Sequence, residues 1–478
     1  MLSLVFFWGV FQIVSGERIQ VHQGFGYDGV IYADTVSRLE ETVFLHPAPD
    51  KRIQRFLPSA ILHYSLKALG MDFSPEHIVR GFQILNFLLV LISVFLYWRI
   101  SDRLRFLDGA RWVGFFALFC NFATARMPYF NPVLTDTGGF FLGMLLLYFF
   151  LEGSDAGLWC TGLAGAFTWP TIPFYALFLL SFKKIPAAGP VKNKGLVTAA
   201  TLALTALFVS LMKLSYDSLG AGFLAPVIDP GAGTLRADAS LAIPAFLAVL
   251  VTVFFVFYAM ADDKRLYDPV RMLKEFRPLA FLSAALLLLG VFWFVRHFSA
   301  PTVSTPMRYG YIGVAIAVSL TRSVALPLIF LLSHLVYYGP VVYLALFFWK
   351  DFARASHEQG LGLLVCVFFW IFTLLPNSES RHFLDFFPFL AVFTVHGLER
   401  VKWKSADIAL FVAVSLLFSK VWLSLNASSD LSVHFMNFGP WMPERYYRLQ
   451  GYAALVTGAG FWLWLAFSGK FNTSGDLL

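Results

Sequence analysis

A few places along a largely apolar sequence carry charged side chains that could perform acid–base chemistry. The first is residues 24–34, where Asp28 lies between Tyr27 and Gly29. A carboxylate there could accept the proton of an attacking hydroxyl group and so act as a general base. The alternative is that Asp28 caps the helix predicted to begin beside it, because Asp is a common N-cap residue.

A second place is residues 126–136, where Arg126 and Asp136 flank a turn that contains Pro128 and Pro132. Ionisable side chains near the level of a membrane are costly and often functional. This pattern therefore favours a role in binding or catalysis. The alternatives are that Asp136 caps the next helix or that it pairs with Arg126.

A third place is the run Glu379-Ser380-Arg381-His382, which Asp385 follows after one helical turn. The guanidinium of Arg381 could hold an anionic group through two parallel hydrogen bonds. It could equally form an ordinary i,i+4 ion pair with Asp385. The spacing alone leaves both interpretations open.

The composition predicts how these charged groups are carried. Hydrophobic residues make up 58% of the 478 residues and charged residues only 14%, whereas soluble domains are about a quarter charged. The mean hydropathy is +0.69. We therefore expect an all-α polytopic membrane protein. The net charge of +7 comes without a basic, aromatic-rich motif, so no nucleic-acid partner is expected.

The apolar stretches predict a bundle of about 12–14 transmembrane helices, since one span needs about 20 apolar residues. They cover residues 1–16, 82–98, 112–127, 138–151, 158–182, 195–214, 239–260, 278–297, 324–349, 361–376, 383–398, 406–425 and 449–469. Pro170 and Pro173 interrupt the stretch 158–182. That stretch therefore predicts two short helices that meet at Thr168-Trp169-Pro170-Thr171.

Basic clusters set the predicted orientation, because Lys and Arg resist translocation. They lie in the loops 99–111, 183–194, 261–277 and 399–405. The alternate loops then face the extracytoplasmic side, and residues 17–77 form the longest of them. Arg308, in the outer loop 298–323, needs a partner there, such as an anionic ligand.

The long outer loop contains two amphipathic patterns, at residues 28–41 and 56–69. In the second pattern Ser59, His63 and Lys67 share one face, and the apolar residues lie on the other. Helices with one strongly polar and one apolar face lie in the membrane interface. We therefore expect two interfacial helices in this loop.

The combination of these motifs resembles the GT-C superfamily of membrane glycosyltransferases. The resemblance rests on five pieces in the order of the chain: Tyr27-Asp28-Gly29, Arg55-Phe56-Leu57-Pro58, Asn131-Pro132-Val133-Leu134-Thr135-Asp136, Ala166-Phe167-Thr168-Trp169-Pro170-Thr171 and Glu379-Ser380-Arg381-His382. It covers the first 182 residues best. Two positions depart from the common family pattern: Trp169 stands where Arg is frequent, and His382 stands where Tyr is frequent.

The resemblance implies an inverting enzyme whose extracytoplasmic active site uses a polyprenyl-phosphate-linked sugar as donor. The acceptor would be a lipid, a glycan or a protein. Residues 1–214 would form a seven-helix module and residues 215–478 a variable module. The multi-pass protein would lie in a bacterial inner membrane, or alternatively in the endoplasmic reticulum.

The same resemblance gives each candidate residue an expected role. Asp28 would be the general base and Asp136 the second catalytic carboxylate. Binding of the substrate, including its phosphate, would fall to Arg381, His382, Arg126, Arg55, Tyr27, Glu379, Arg308 and His63. Two neighbouring carboxylates could instead hold a divalent cation. The sequence has no His or Cys pattern that indicates zinc.

Two other classes of function also fit a protein of this kind. A transporter or flippase could use outer arginines and a proline-broken helix pair along a substrate pathway. However, the two halves of the sequence show no inverted repeat of motifs. A catalytically inactive subunit with a GT-C-like fold is the other alternative.

The topology can be tested with single-cysteine variants, after the native Cys120, Cys160 and Cys366 have been replaced. Cysteines placed in the loops 99–111, 183–194, 261–277 and 399–405 should resist a membrane-impermeant thiol reagent in intact cells, because their basic residues hold them in the cytoplasm. Cysteines in the loop 17–77 should react. Labelling of the loop 183–194 from outside would refute the assignment.

Overall fold

The computed structural model describes residues 1–45, 50–185, 189–218, 228–229, 233–234, 239–299, 323, 326–373, 375–427 and 431–470. Arg308 lies outside the described residues. The α-helices of the first half are α1 (Leu2–Ser15), α2 (Gly29–Ser37), α3 (Asp50–Ile53), α4 (Leu57–Ala68), α5 (Pro75–Arg103), α6 (Asp108–Phe119), α7 (Met127–Phe130), α8 (Asp136–Glu152), α9 (Asp155–Ala166), α10 (Ile172–Ser181) and α11 (Lys194–Ser218).

The second half continues the helical architecture. Its helices are α12 (Ala239–Met260), α13 (Pro269–Glu275), α14 (Pro278–Phe298), α15 (Ile329–Tyr338), α16 (Val341–Phe347), α17 (Trp349–Glu358), α18 (Leu361–Thr373), α19 (Phe387–Gly397), α20 (Ser405–Ser419) and α21 (Glu444–Phe467). The strands β1 (Ile228–Asp229) and β2 (Gly233–Thr234) pair antiparallel over two residues. The prediction of an all-α fold is therefore confirmed for the described part of the chain.

Four of these helices are long and apolar enough to cross a bilayer. The qualifying segments are Pro75–Arg103, Lys194–Leu214, Ile243–Met260 and Pro278–Phe298. Shorter apolar helices of 10–17 residues, among them α1, α10 and α18, accompany them. The number of spans and the two-module division at residue 214 remain predictions.

Two predicted spans are wrong as continuous helices. The span 112–127 ends early because α6 stops at Phe119, and Asn121 starts a separate turn by accepting a hydrogen bond from the backbone N–H of Thr124 (3.0 Å). The span 324–349 divides at Gly339, whose φ of +76° suits glycine and not the helix interior. By contrast, the break predicted within 158–182 is confirmed, since α9 ends at Ala166 and α10 begins at Ile172.

Helix α4 has the expected two faces, but most of its polar face is turned towards the protein. Ser59 donates a hydrogen bond to the carbonyl of Tyr32 (3.2 Å), and the ring of His63 contacts the carbonyl of Val36 (2.6 Å), so both side chains pack on α2. Ile61 and Tyr64 are instead 46% and 53% exposed. An apolar face that points outward is what a helix lying against lipid needs.

The basic loops meet at one end of the helices. The backbone N–H of Lys183 donates to the carbonyl of Glu275 (2.8 Å), which joins the loops 183–194 and 261–277. Gly109 lies so close to Trp403 that an added Cβ would be 2.7 Å from its side chain. This contact joins the loops 99–111 and 399–405. Lys184 lies within electrostatic range of Arg103, which brings the two pairs of loops together. That this end faces the cytoplasm remains a prediction.

The loops assigned to the other side meet at the opposite end. The backbone N–H of Ile19 donates to the carbonyl of Phe130 (2.8 Å), and that of Leu57 donates to the carbonyl of Phe167 (2.9 Å). The first outer loop therefore rests on the end of α7 and on the turn that follows α9. The candidate catalytic residues lie in these same loops.

The packing of α8 against the segment before α19 can be tested with one methyl group. A Cβ added at Gly143 would lie 2.1 Å from the backbone oxygen of Asp385. Gly143→Ala should therefore lower the free energy of unfolding by about 1–3 kcal/mol, the usual effect of overpacking. Unfolding in detergent micelles measures this change.

Gly290→Ala in α14 is the matched control, because an added Cβ there would have no atom within 4 Å. It should be neutral or should stabilise the helix by about 0.5–1 kcal/mol, since Ala has the higher helix propensity. Equal effects of the two substitutions would contradict the close packing at Gly143.

Candidate functional site

Arg381 lies at the centre of a cluster of charged side chains. Its Nη2 donates to Oδ2 of Asp28 at 3.0 Å, although the two residues are 353 positions apart in the sequence. Its Nε donates to Oε1 of Glu379. The guanidinium also faces the ring of Phe438, with 5.9 Å between its central carbon and the ring centroid. The structure thus brings together two of the segments that the sequence singled out.

The loop that carries Arg381 is fixed from several sides. Asn377 accepts a hydrogen bond from the backbone N–H of Glu379 (2.8 Å), which folds the chain into the turn Ser380–Phe383. Helix α15 supports this turn, because the hydroxyl of Tyr338 donates to the carbonyl of Ser380 (2.6 Å). His334, one turn earlier in α15, contacts the hydroxyl of Ser380 (3.1 Å).

Asp28 reaches Arg381 because its own loop packs closely against residues 131–133. A Cβ on Gly26 would lie 2.7 Å from Oδ1 of Asn131, and one on Gly29 would lie 2.8 Å from the carbonyl oxygen of Val133. Gly26 also has a φ of +71°, which glycine tolerates best. These two glycines therefore allow the first outer loop to approach the turn before α8.

The alternative role of Asp28 as a helix cap is wrong. Asp28 does precede α2, but its side chain makes no capping hydrogen bond to the first turn. The neighbouring Tyr27 points towards another loop, where its hydroxyl lies 3.3 Å from Nδ1 of His434. The carboxylate of Asp28 is directed to Arg381 instead.

Asp136 and Arg55 lie at the edge of the same cluster. Asp136, the first residue of α8, is 5% exposed and falls within electrostatic range of Arg381, Arg55, Asp28 and Glu379. The Arg55 guanidinium is stacked over the ring of Trp169, with 4.6 Å to its centroid. Its Nη1 donates to the hydroxyl of Tyr32 (3.4 Å).

Arg126 belongs to a different centre. It pairs with Glu17 and donates to the backbone carbonyl of Leu423 (3.0 Å). Glu17 in turn accepts the backbone N–H groups of Leu425 (2.8 Å) and Asn426 (2.6 Å). The alternative pairing of Arg126 with Asp136 is therefore wrong, and Arg126 ties the end of α1 to the segment after α20.

Asp385, His63 and His382 differ in how they lie relative to the charged cluster. Asp385 accepts hydrogen bonds from the hydroxyl of Thr171 and from the backbone N–H of Phe386 (2.9 Å), so its predicted i,i+4 pair with Arg381 is wrong. His63 is buried between α4 and α2, away from Arg381's partners. His382 stays beside the cluster, with its Nε2 3.8 Å from Oε2 of Glu379.

The charges in the cluster stabilise one another. Burial by itself would raise the pKa of Glu379, but the positive charges of Arg381 and His382 outweigh burial and lower that pKa. Burial opposes the charge of Arg381 as well, yet Glu379 and Asp28 raise its pKa well above the usual range. Glu379 is therefore anionic and Arg381 cationic at neutral pH.

The Asp28–Arg381 pair is also the part of the cluster that a ligand can reach. The side chains of Asp28 and Arg381 are 28% and 19% exposed, whereas that of Glu379 is 6% exposed. A partly exposed carboxylate can take a proton from a bound hydroxyl group. A partly exposed guanidinium can hold a phosphate.

The cluster does not provide the donor set of a metal site. Among the described residues, no group of three or more His, Cys, Asp or Glu side chains is arranged to hold a metal ion. Arg381 lies between the carboxylates of Asp28 and Glu379 and occupies the position that a cation would take. The predicted option of a divalent cation therefore finds no support in this geometry.

Sequence reasoning missed several residues of the site. Tyr338 and Asn377 hold the loop of Arg381, Trp169 and Phe438 supply aromatic faces to the two arginines, and Tyr337 lies beside them. The sequence marks Trp169 only as part of the predicted helix break and as a departure from the family pattern. The others had no local signal, because they lie in apolar runs or beside motifs whose partners are distant in the sequence.

Comparison with known proteins identifies no match to this chain. No family model matches the chain, and neither a curated protein nor a solved structure matches it.

Proposed function

We propose that this protein is an integral membrane glycosyltransferase that moves a sugar from a polyprenyl-phosphate donor to an acceptor hydroxyl at the extracytoplasmic face. The observation that carries the proposal is the partly exposed ion pair between Asp28 and Arg381 (3.0 Å). In this pair, a carboxylate that can accept a proton lies beside a guanidinium that can bind a phosphate. A glycosyl transfer needs both, and the GT-C resemblance connects the same two residues.

The proposed reaction is an inverting displacement. The acceptor oxygen forms a bond to the anomeric carbon of the sugar while the bond from that carbon to the phosphate oxygen breaks. Asp28 accepts the proton of the acceptor hydroxyl. Arg381 and Arg55 stabilise the negative charge that develops on the departing polyprenyl phosphate, an effect that is strong in a site shielded from water.

The ion pair also suggests an order of events. Without substrate, Arg381 holds Asp28 in place. A donor phosphate competes for the guanidinium, because a bidentate contact between arginine and phosphate is charge-assisted. Asp28 is then released from Arg381 and becomes available to the acceptor hydroxyl. Glu379 remains bound to Arg381 and keeps it oriented.

The surface of the helices supports the membrane part of the proposal. Helix α14 is long enough to span a bilayer and presents large apolar side chains outward, with Leu289 64% and Phe292 70% exposed. Exposed apolar surface of this extent marks contact with lipid or another apolar partner. A multi-pass bundle would keep the lipid tail of the donor beside the charged cluster.

The substitution Asp28→Asn tests the proposal. It removes the proton acceptor but keeps the size of the side chain. Base catalysis typically contributes on the order of 100- to 10,000-fold in rate, so transfer should fall by that amount. The measurement is release of polyprenyl phosphate from a panel of polyprenyl-phosphate hexoses and pentoses, in membrane vesicles that contain the purified protein and the native acceptors.

Asp34→Asn is the matched control, because Asp34 lies in helix α2, which Asp28 directly precedes, and pairs with Arg52 at 2.9 Å and with Arg38. It loses an ion pair of similar geometry but should transfer normally. Asp136→Asn, run in parallel, separates the two carboxylates. A near-normal rate for Asp28→Asn beside an inactive Asp136→Asn would move the base to Asp136. If the unmodified protein releases polyprenyl phosphate from none of the donors, the proposed glycosyltransferase activity is refuted.

A further inference from the structure

Next to the charged cluster, buried polar atoms lack hydrogen-bond partners. They are Oδ1 of Asp136, the hydroxyl of Tyr337 and the hydroxyl of Thr135. All three side chains are at most 5% exposed. An unsatisfied buried polar group costs about 1–3 kcal/mol, so groups of this kind cluster where a ligand or water completes them.

The position of Tyr337 links it to Arg381. Its ring is 5.8 Å from that of Phe438, the same ring that the Arg381 guanidinium faces. It is adjacent to Tyr338, whose hydroxyl holds the carbonyl of Ser380. The phenol of Tyr337 also falls within electrostatic range of Asp136, Arg381 and Glu379.

We infer that Asp136 and Tyr337 form a binding subsite for a neutral hydroxyl group of the sugar, separate from the place where the phosphate binds. An ionised carboxylate only accepts hydrogen bonds, whereas a phenol can donate one. An alcohol both donates and accepts, so it satisfies Asp136 and Tyr337 together. The phosphodiester of the donor has no hydrogen to donate to Oδ1 of Asp136, and its partner is Arg381.

This inference rests on the proposed function and deepens it. Two sets of residues would bind two parts of the donor: the arginines bind the phosphate, and the Asp136–Tyr337 pair binds the sugar. Tyr337 is then a substrate-positioning residue that distinguishes a sugar-bearing lipid from the bare lipid phosphate. Asp136 would bind the sugar and leave the proton transfer to Asp28.

The test compares the binding of two kinds of probe by the purified full-length protein in detergent micelles. One is farnesyl phosphate, and the other is a set of farnesyl phosphates that bear glucose, mannose, galactose or arabinose. Tyr337→Phe should weaken binding of the preferred sugar-bearing probe about tenfold, as expected for one lost hydrogen bond. Its affinity for farnesyl phosphate should not change.

Tyr175→Phe is the matched control. Tyr175 is also fully buried with a hydroxyl that lacks a partner, but it packs on Phe386 and Phe369 and not on Phe438. It should leave the affinity for both probes unchanged, and both variants should fold, since the substitution removes a single buried hydroxyl.

The outcomes separate this inference from the proposed function. Unaltered affinity of Tyr337→Phe for the sugar-bearing probes would overturn the subsite. The subsite would also be overturned if the unmodified protein bound farnesyl phosphate as tightly as every sugar-bearing probe. If the unmodified protein bound neither farnesyl phosphate nor any sugar-bearing farnesyl phosphate, the proposed function would be overturned, and this inference with it.

Discussion

The ion pair between Asp28 and Arg381 is the interaction on which the arrangement of the outer loops depends. It joins two loops that are 353 residues apart in the sequence. A charge that is partly removed from water is costly unless partners and hydrogen bonds compensate it. The loops supply this compensation, because Glu379 balances Arg381 while Asn377 and Tyr338 hold the surrounding backbone in place.

The chain contains other buried arginines, and their surroundings show why Arg381 differs. Arg265 pairs with Asp263 (2.6 Å), and both side chains are fully buried. The Nη1 and Nη2 atoms of Arg265 also donate hydrogen bonds to the carbonyls of Ile185 and His357. Arg126 is likewise held by Glu17 and by the backbone carbonyl of Leu423. These two arginines fasten segments at opposite ends of the helices. Arg381 instead keeps a partly exposed face and carboxylate partners, which suits exchange with a ligand.

Features that depend on nearby residues could be predicted from the sequence. The helical architecture follows from the long apolar stretches, and the break between α9 and α10 follows from Pro170 and Pro173, because proline cannot continue a helix. The third segment, with Arg381, stands out in the sequence because charges are expensive among apolar residues, and the structure brings it to Asp28.

Features that depend on distant pairings could not be predicted. Glu17 carries no local sign that it is the partner of Arg126, and the two faces of α4 do not reveal which of them packs on α2. The division at Gly339 was missed because Gly and Pro are also found inside membrane helices, where neighbouring helices satisfy the backbone. Tyr337 lies in an apolar run, and only the assembled structure brings it within electrostatic range of Asp136.

If Asp28 and Arg381 act as one unit, a double-mutant cycle on protein stability measures their coupling directly. The free energy of unfolding in detergent micelles is determined for the unmodified protein, Asp28→Asn, Arg381→Gln and the double variant. Residues in direct contact show a coupling of about 0.5–3 kcal/mol, so the double variant should lose less stability than the sum of the single variants. Effects that add to within about 0.3–0.5 kcal/mol, as for independent sites, would contradict the pairing.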